Sequence, residues 1–162
     1  MCREGTVERV DLLVRLLVAG GAGIVLGLPY RTRPGGVRTH YLVTLGAALF
    51  CSAGANVVGP KAQETLRIIQ GVASGIGFVG AASVLKRGSA IFGITTAASI
   101  WIAAAVGCEA VLGSPLLAGL VAVVIAVSNL LLSLLERHVF HRRRVMLELS
   151  DEPSNPRPPR QD

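Results

Sequence analysis

Five apolar stretches, each nearly free of charge, divide the chain: Val10–Leu28, Tyr41–Gly59, Ile68–Leu85, Ile91–Gly113 and Leu116–Leu135. Each approaches the ~20 residues that a helix needs to cross hydrocarbon about 30 Å thick. A lone segment in lipid satisfies its own backbone only as a helix, and the period-two alternation of a membrane barrel strand is absent. The pattern therefore predicts an all-α fold, a polytopic transmembrane bundle of five spans. Polar punctuation separates the spans: Pro29 to Gly36, Gly59-Pro60-Lys61, Lys86-Arg87-Gly88-Ser89 and Gly113-Ser114-Pro115. The membrane domain is expected over 1–140 and a short basic, Pro-rich tail over 141–162. In that tail Pro153, Pro156, Pro158 and Pro159 stand among charged residues, a composition that cannot build a core and reads as disordered.

Composition supports the membrane reading. Of 162 residues, 51% are hydrophobic and 16% charged, against about 25% charged in a soluble domain. Aromatic residues make up 4% and there are 19 glycines, so the spans are built from aliphatic and small residues that let helices approach. A net charge of +6 would suit nucleic acid if it lined one polar face. The basic residues instead cluster between apolar runs, which argues against nucleic acid and for loop charge that sets membrane orientation. Arg31, Arg33 and Arg38, then Lys86 and Arg87, then Arg137, Arg142, Arg143 and Arg144 fall on one side of five spans. The N-terminus is therefore expected outside and the C-terminus in the cytoplasm.

Little enzyme chemistry is visible. Glu4, Glu8 and Asp11 interrupt the basic region that a signal peptide requires, so the first segment reads as a span. Cys2, Cys51 and Cys108 lack metal-ligand spacing and read as small packing residues. Neither a metal nor a cofactor is expected, and no nucleophile–base pair points to catalysis. Gly75-Ile76-Gly77-Phe78-Val79-Gly80 satisfies the dinucleotide pattern G-x-G-x-x-G, yet the strand before it and the acid about 20 residues after it are missing.

The same glycines have a use in lipid. Gly71 and Gly75 form a G-x-x-x-G step, Gly77 and Ala81 continue a small-x-x-x-small seam, and Gly80 is a further candidate packing residue of the third segment. That segment is expected to be the most closely packed helix, at the bundle centre, where Gly75→Leu would cause misassembly. Similar seams mark segment one (Gly23, Gly27), segment four (Ala103, Gly107) and segment five (Ala118, Ala122, Ala126). Packing within the chain is one reading of such stripes and a homo-oligomer interface is the other.

Polar residues gather at the two ends of the spans. Asp11, Arg15, Arg67, Gln70 and Glu109 converge toward the side expected to be outside, where a charge at mid-bilayer depth would cost about 2.5–3.5 kcal/mol. They read either as an open polar cleft or as side chains that snorkel to the headgroups, with Asp11 and Arg15 paired one turn apart. At the cytoplasmic side Arg38, Thr39 and His40 start segment two, and Thr95, Thr96 and Ser99 start segment four. Together with Lys86 and Arg87 they could hold an anionic or carbonyl-rich partner group. Helix capping and topology signalling are the plainer alternatives.

Arg38-Thr39-His40, then Gly75-Ile76-Gly77-Phe78-Val79-Gly80-Ala81, then Gly93-Ile94-Thr95-Thr96-Ala97-Ala98-Ser99-Ile100-Trp101 resemble, in order and spacing, the motifs of the MgtC/SapB/YhiD membrane family. The resemblance covers roughly residues 10–138. It implies a bacterial inner-membrane protein connected with adaptation to low magnesium and, in pathogens, with survival inside macrophages. Family proteins have been read as magnesium transporters and as regulators of other membrane machines, including the F-type ATP synthase and P-type ATPases. The expectation for this chain is a non-enzymatic regulator in the lipid bilayer with a membrane-protein partner, the alternative being a cation transporter or channel subunit. Two departures stand out. Gly27-Leu28-Pro29-Tyr30-Arg31 replaces the family's G-x-E-R, so its glutamate is missing, and the tail is too short for the cytoplasmic domain that well-known members carry.

Overall fold

The apolar runs are helical in a computed structural model, which describes the backbone of residues 4–32, 36–58, 62–87 and 90–150 and the side chains of 9–32, 36–57, 63–86 and 91–136. Helix α1 (Glu4–Gly27) ends in a 3-10 turn at Leu28–Tyr30, and α2 (Val37–Val58) and α3 (Ala62–Ala82) follow. A short hairpin, β1 (Leu85–Arg87) with β2 (Ala90–Phe92), leads into α4 (Ile94–Leu112) and α5 (Pro115–Ser150). Among the described residues five helices are long and apolar enough to cross a membrane. The punctuation expected at Gly59-Pro60-Lys61, together with Arg33, Gly88-Ser89 and residues 151–162, lies outside the described residues.

The hairpin corrects an all-helical reading of the third and fourth segments. Leu85 pairs with Phe92, Lys86 with Ile91 and Arg87 with Ala90 in antiparallel register. Leu85 and Ile91 thus leave the spans to which hydropathy had assigned them. A β-branched and aromatic pair, Ile91-Phe92, faces Leu85-Lys86 across a Gly-Ser step, which is a hairpin signal. Gly93, at φ +91°, closes the hairpin and opens α4. A side chain there would collide with the Ser83 carbonyl as well as strain the backbone.

Contacts between named residues give the helix directions. Gly23 and Gly27 of α1 lie against His40 and Val37 of α2, so α1 and α2 run antiparallel. His40 meets Ser99 near the start of α4 and Cys51 meets Cys108 near its end, Sγ to Sγ 3.2 Å, so α2 and α4 run parallel. Gly54 meets Ile68 and Gly80 meets Ala97, so α3 runs against both.

Alanine dominates the core. Ala19 and Ala22 of α1, Ala48 of α2, Ala103 and Ala110 of α4, and Ala118 and Ala122 of α5 form one buried cluster. Ala47, Cys51, Ala104 and Cys108 form a second, flanked by Ile68, Val72 and Ile76 of α3. Cys51 and Cys108 are therefore packing residues in contact with each other, and Cys2 lies outside the described residues. Small side chains bring backbones close enough for dispersion to act between helices that lipid would otherwise solvate.

The central helix is α4, not the third segment. In its span 44% of residues are buried, against 6% in that of α3, and α4 packs on α1, α2 and α3. A side chain at Gly107 would overlap the Thr44 carbonyl, which marks the closest approach of α4 to α2. By contrast nothing lies within 4 Å of a side-chain carbon built on Gly71, Gly75 or Gly77, and only Gly80 has a neighbour, Ala97. The small residues of α3 point mainly away from the rest of the chain.

Residues up to Val127 form one compact unit and those from Ser128 a second, composed of the latter half of α5. The helix continues through Ser150, so 141–150 is helical where composition predicted disorder. Residues Arg142 to Leu149 are good helix formers, and the first proline beyond them is Pro153.

Candidate functional site

The end of the bundle that carries the hairpin holds a buried polar network. His40, fully buried, places Nδ1 2.9 Å from the Gly36 carbonyl and Nε2 2.9 Å from Ser99 Oγ. The Gly36 oxygen can only accept, so Nδ1 carries a proton and donates. Ser99 Oγ lies 2.8 Å from the Thr96 carbonyl, and the Thr44 hydroxyl donates to the His40 carbonyl at 2.8 Å. Tyr30 stacks on the imidazole with ring centres 5.2 Å apart and planes 17° off parallel. Every buried polar side-chain atom among the described residues has a partner, as a low-dielectric interior demands.

This network divides the cytoplasmic constellation expected from sequence. His40, Thr96 and Ser99 are buried between α2 and α4, while Arg38 and Thr95 are exposed and Thr39 is half-buried. The six residues do not form one open mouth. A helix face repeats every 3.6 residues, so adjacent positions such as Thr95 and Thr96 must point apart.

At the opposite end the polar residues serve the α4–α5 turn. Arg15 Nε donates to Asp11 at 2.7 Å, and its Nη1 donates to the carbonyls of Val111 at 2.9 Å, Gly113 at 3.0 Å and Ala110 at 3.5 Å. The guanidinium thus occupies the negative end of α4, whose last carbonyls lack helical partners. Glu109 Oε1 accepts from the Ser114 N–H at 3.2 Å, and Ser114 Oγ accepts from the Leu117 N–H at 3.4 Å. A carboxylate and a hydroxyl therefore cap the positive start of α5, with Pro115 as its first residue.

The expected cleft is accordingly split. Asp11 and Arg15 line a cavity of about 540 Å³ with Arg9, Ser52 and Asn56. Glu109 lines a separate one of about 280 Å³ beside Trp101 and Ile69. Arg67 and Gln70 are exposed on α3 and line neither. No group of three metal-ligating side chains occurs among the described residues.

A third feature is apolar. Between α2 and α3 runs a groove of about 850 Å³, walled by Val43, Phe50, Val57 and Val79 and floored by Gly46, Gly71 and Gly75. Sequence singled out Gly71 and Gly75 but missed the contribution of α2.

The profile of the MgtC family matches residues 16–138, which include the hairpin, the His40 network and the groove. The chain belongs to the MgtC family. Protein SrpB of Synechococcus elongatus is 40% identical over 112 residues, covering 60% of this chain and 62% of SrpB. YhiD of Escherichia coli K12, provisionally named a magnesium transporter, is 36% identical over 105 residues, 60% of this chain and 49% of YhiD. Protein MgtC of Brucella abortus is 41% identical over 78 residues, 48% of this chain and 32% of that protein. This MgtC family chain, a membrane protein, thus spans under two thirds of the length of these curated relatives. No solved structure matches it.

Sequence reasoning also missed Tyr30, Thr44, Ser52 and Asn56. Tyr30 follows the Pro29 that ends α1, a place where an aromatic ring can fold back on the next helix. Ser52 and Asn56 are four apart in an apolar span, a spacing that puts both on one face.

Proposed function

We propose that this chain is a non-enzymatic regulatory module of the bacterial inner membrane that docks a transmembrane helix of another membrane complex in the α2–α3 groove. The observation that carries this reading is the glycine floor of the groove at Gly46, Gly71 and Gly75, left open by the chain itself. Glycine in a lipid-facing wall forfeits side-chain contact with hydrocarbon, and its compensation is close backbone approach by a partner helix. The exposed face of α5 in the compact unit, made of Leu116, Leu117, Leu120 and Val124, has the bulk that suits lipid. Family resemblance supports the setting, adaptation to low magnesium, and the class of partner, an ATP synthase or a P-type ATPase. The excess of basic residues in the loops near the hairpin supports a cytoplasmic hairpin end.

The name of YhiD supports a second reading, cation transport. Against it, Arg15 occupies the carbonyls at the end of α4, and Glu109 is engaged by the Ser114 N–H. A photo-crosslinking residue placed at Gly71 in native membranes tests the first reading. The expected outcome is an adduct with a span of one defined membrane complex, abolished by Gly75→Leu. Adducts with lipid alone, together with magnesium flux in liposomes that is lost in Glu109→Gln, would replace regulation by transport.

A further inference from the structure

The cavity of about 540 Å³ between the N-terminal part of α1 and the C-terminal ends of α2 and α4 has a largely polar lining. Its side chains are Arg9, Asp11, Leu12, Arg15, Ser52 and Asn56. Asp11 is neutralised by Arg15 at 2.7 Å, and the same guanidinium takes the carbonyls of Val111 and Gly113. One carboxylate oxygen of Asp11 is therefore paired, and Arg9 leaves the lining with a net positive charge. Arg9, Ser52 and Asn56 remain. Arg9 makes no ion pair or hydrogen bond among the described residues, and neither does Asn56.

Ser52 supplies the independent observation. Several helical hydroxyls bond back to their own backbone: Thr44 to His40, Ser99 to Thr96 and Ser133 to Leu130. This is the usual way for Ser and Thr to be satisfied inside a helix. Ser52, 8% exposed, makes no such bond among the described residues, and its oxygen is open to the cavity. Asn56 stands one helical turn further on the same face. A guanidinium, a hydroxyl and a carboxamide thus converge on one space at the level where the apolar stretches of α1, α2 and α4 end, which is headgroup depth in a bilayer.

We propose that this cavity binds a phosphate group, held by Arg9 through charge-assisted hydrogen bonds and oriented by Ser52 and Asn56. A tetrahedral oxyanion can accept from the Arg9 guanidinium, the Ser52 hydroxyl and the Asn56 amide N–H, and with Arg9 and Arg15 against Asp11 the lining carries a net positive charge. The phosphate has two sources, the phosphodiester of a lipid headgroup and free inorganic phosphate. The proposal is independent of the groove, because none of its polar residues lines the α2–α3 face.

The test uses the full chain, purified in detergent and stripped of lipid. Phosphatidylglycerol is titrated by native mass spectrometry and inorganic phosphate by calorimetry, for the wild type, Arg9→Gln, Ser52→Ala and the control Arg31→Gln at the other end of the bundle. One site is expected, with affinity reduced about tenfold in Arg9→Gln, the loss of one charge-assisted hydrogen bond, by a smaller factor in Ser52→Ala, and unchanged in Arg31→Gln. That pattern with the lipid, and no competition by phosphate, assigns a headgroup site. The same pattern with phosphate alone assigns a free-anion site. Affinity for both ligands that is equal in wild type and Arg9→Gln, or no binding to the wild type, overturns the proposal, as does a magnesium site in this cavity that requires Asp11.

Discussion

Helices α3 and α4 carry the same signature and have opposite places in the molecule. Both are about 20 residues long, rich in small residues, and adjacent to the hairpin. In α4 the small residues Ala103, Ala104, Gly107 and Ala110 are buried against α1 and α2, whereas Gly71, Gly75 and Gly77 of α3 have nothing over them. Small-residue spacing therefore marks a face that admits another helix without telling which helix comes. In α4 the visitor is part of the same chain. In α3 the face is still open, and that openness supports a partner outside the chain.

The contrast can be broken most directly at Gly107. A leucine there must displace the Thr44 carbonyl, so Gly107→Leu should destabilise the bundle by about 3 kcal/mol and reduce folded yield in detergent. An unchanged melting temperature would remove α4 from the centre. Next in size is His40→Leu, which leaves the Gly36 carbonyl and the Ser99 hydroxyl without their imidazole partner. A loss of about 2 kcal/mol is expected, while Arg38→Ala, two residues away but exposed, should leave melting unaltered.

Arg15→Gln releases the carbonyls at the end of α4. The site is partly open to solvent, so a cost of about 1 kcal/mol is expected, read as a lower melting temperature and faster amide exchange in α5 after Pro115. The smallest effect should come from Gly75→Leu. It fills open space, so stability should change by less than about 0.5 kcal/mol, with normal accumulation. A Gly75→Leu protein that misassembles would show that α3 packs as tightly as α4 and would close the groove. Intact folding with loss of growth in low magnesium would make the contrast between the two helices functional.

Much of this fold was legible because lipid imposes simple rules. Five runs of membrane length had to be helices, and Asp11 and Arg15 had to be neighbours because helical residues four apart are adjacent. The hairpin was less legible, since its three-residue strands flank the polar break between two apolar runs and are too short for a period to register. At the candidate sites, sequence found the charged members but not their partners. Arg15 was visible, whereas its acceptors at Val111 and Gly113 are backbone carbonyls that any residue provides. His40 and Ser99, 59 positions apart, are joined only by the parallel packing of α2 and α4.

The sequence by itself determined that the chain belongs in a bilayer, how many helices cross it, and which residues are too polar to face hydrocarbon. Those properties depend on composition within windows of about 20 residues. Only the tertiary structure decided that α4 is central and α3 peripheral, that His40 is buried and Arg38 exposed, and that the cleft expected from Asp11 to Glu109 separates into two cavities. The reason is that lipid solvates every apolar helix about equally well, so hydrophobicity cannot rank the helices. The ranking comes from van der Waals fit and hydrogen bonds between particular faces, such as Gly107 under the Thr44 carbonyl, which exist only once the helices have met.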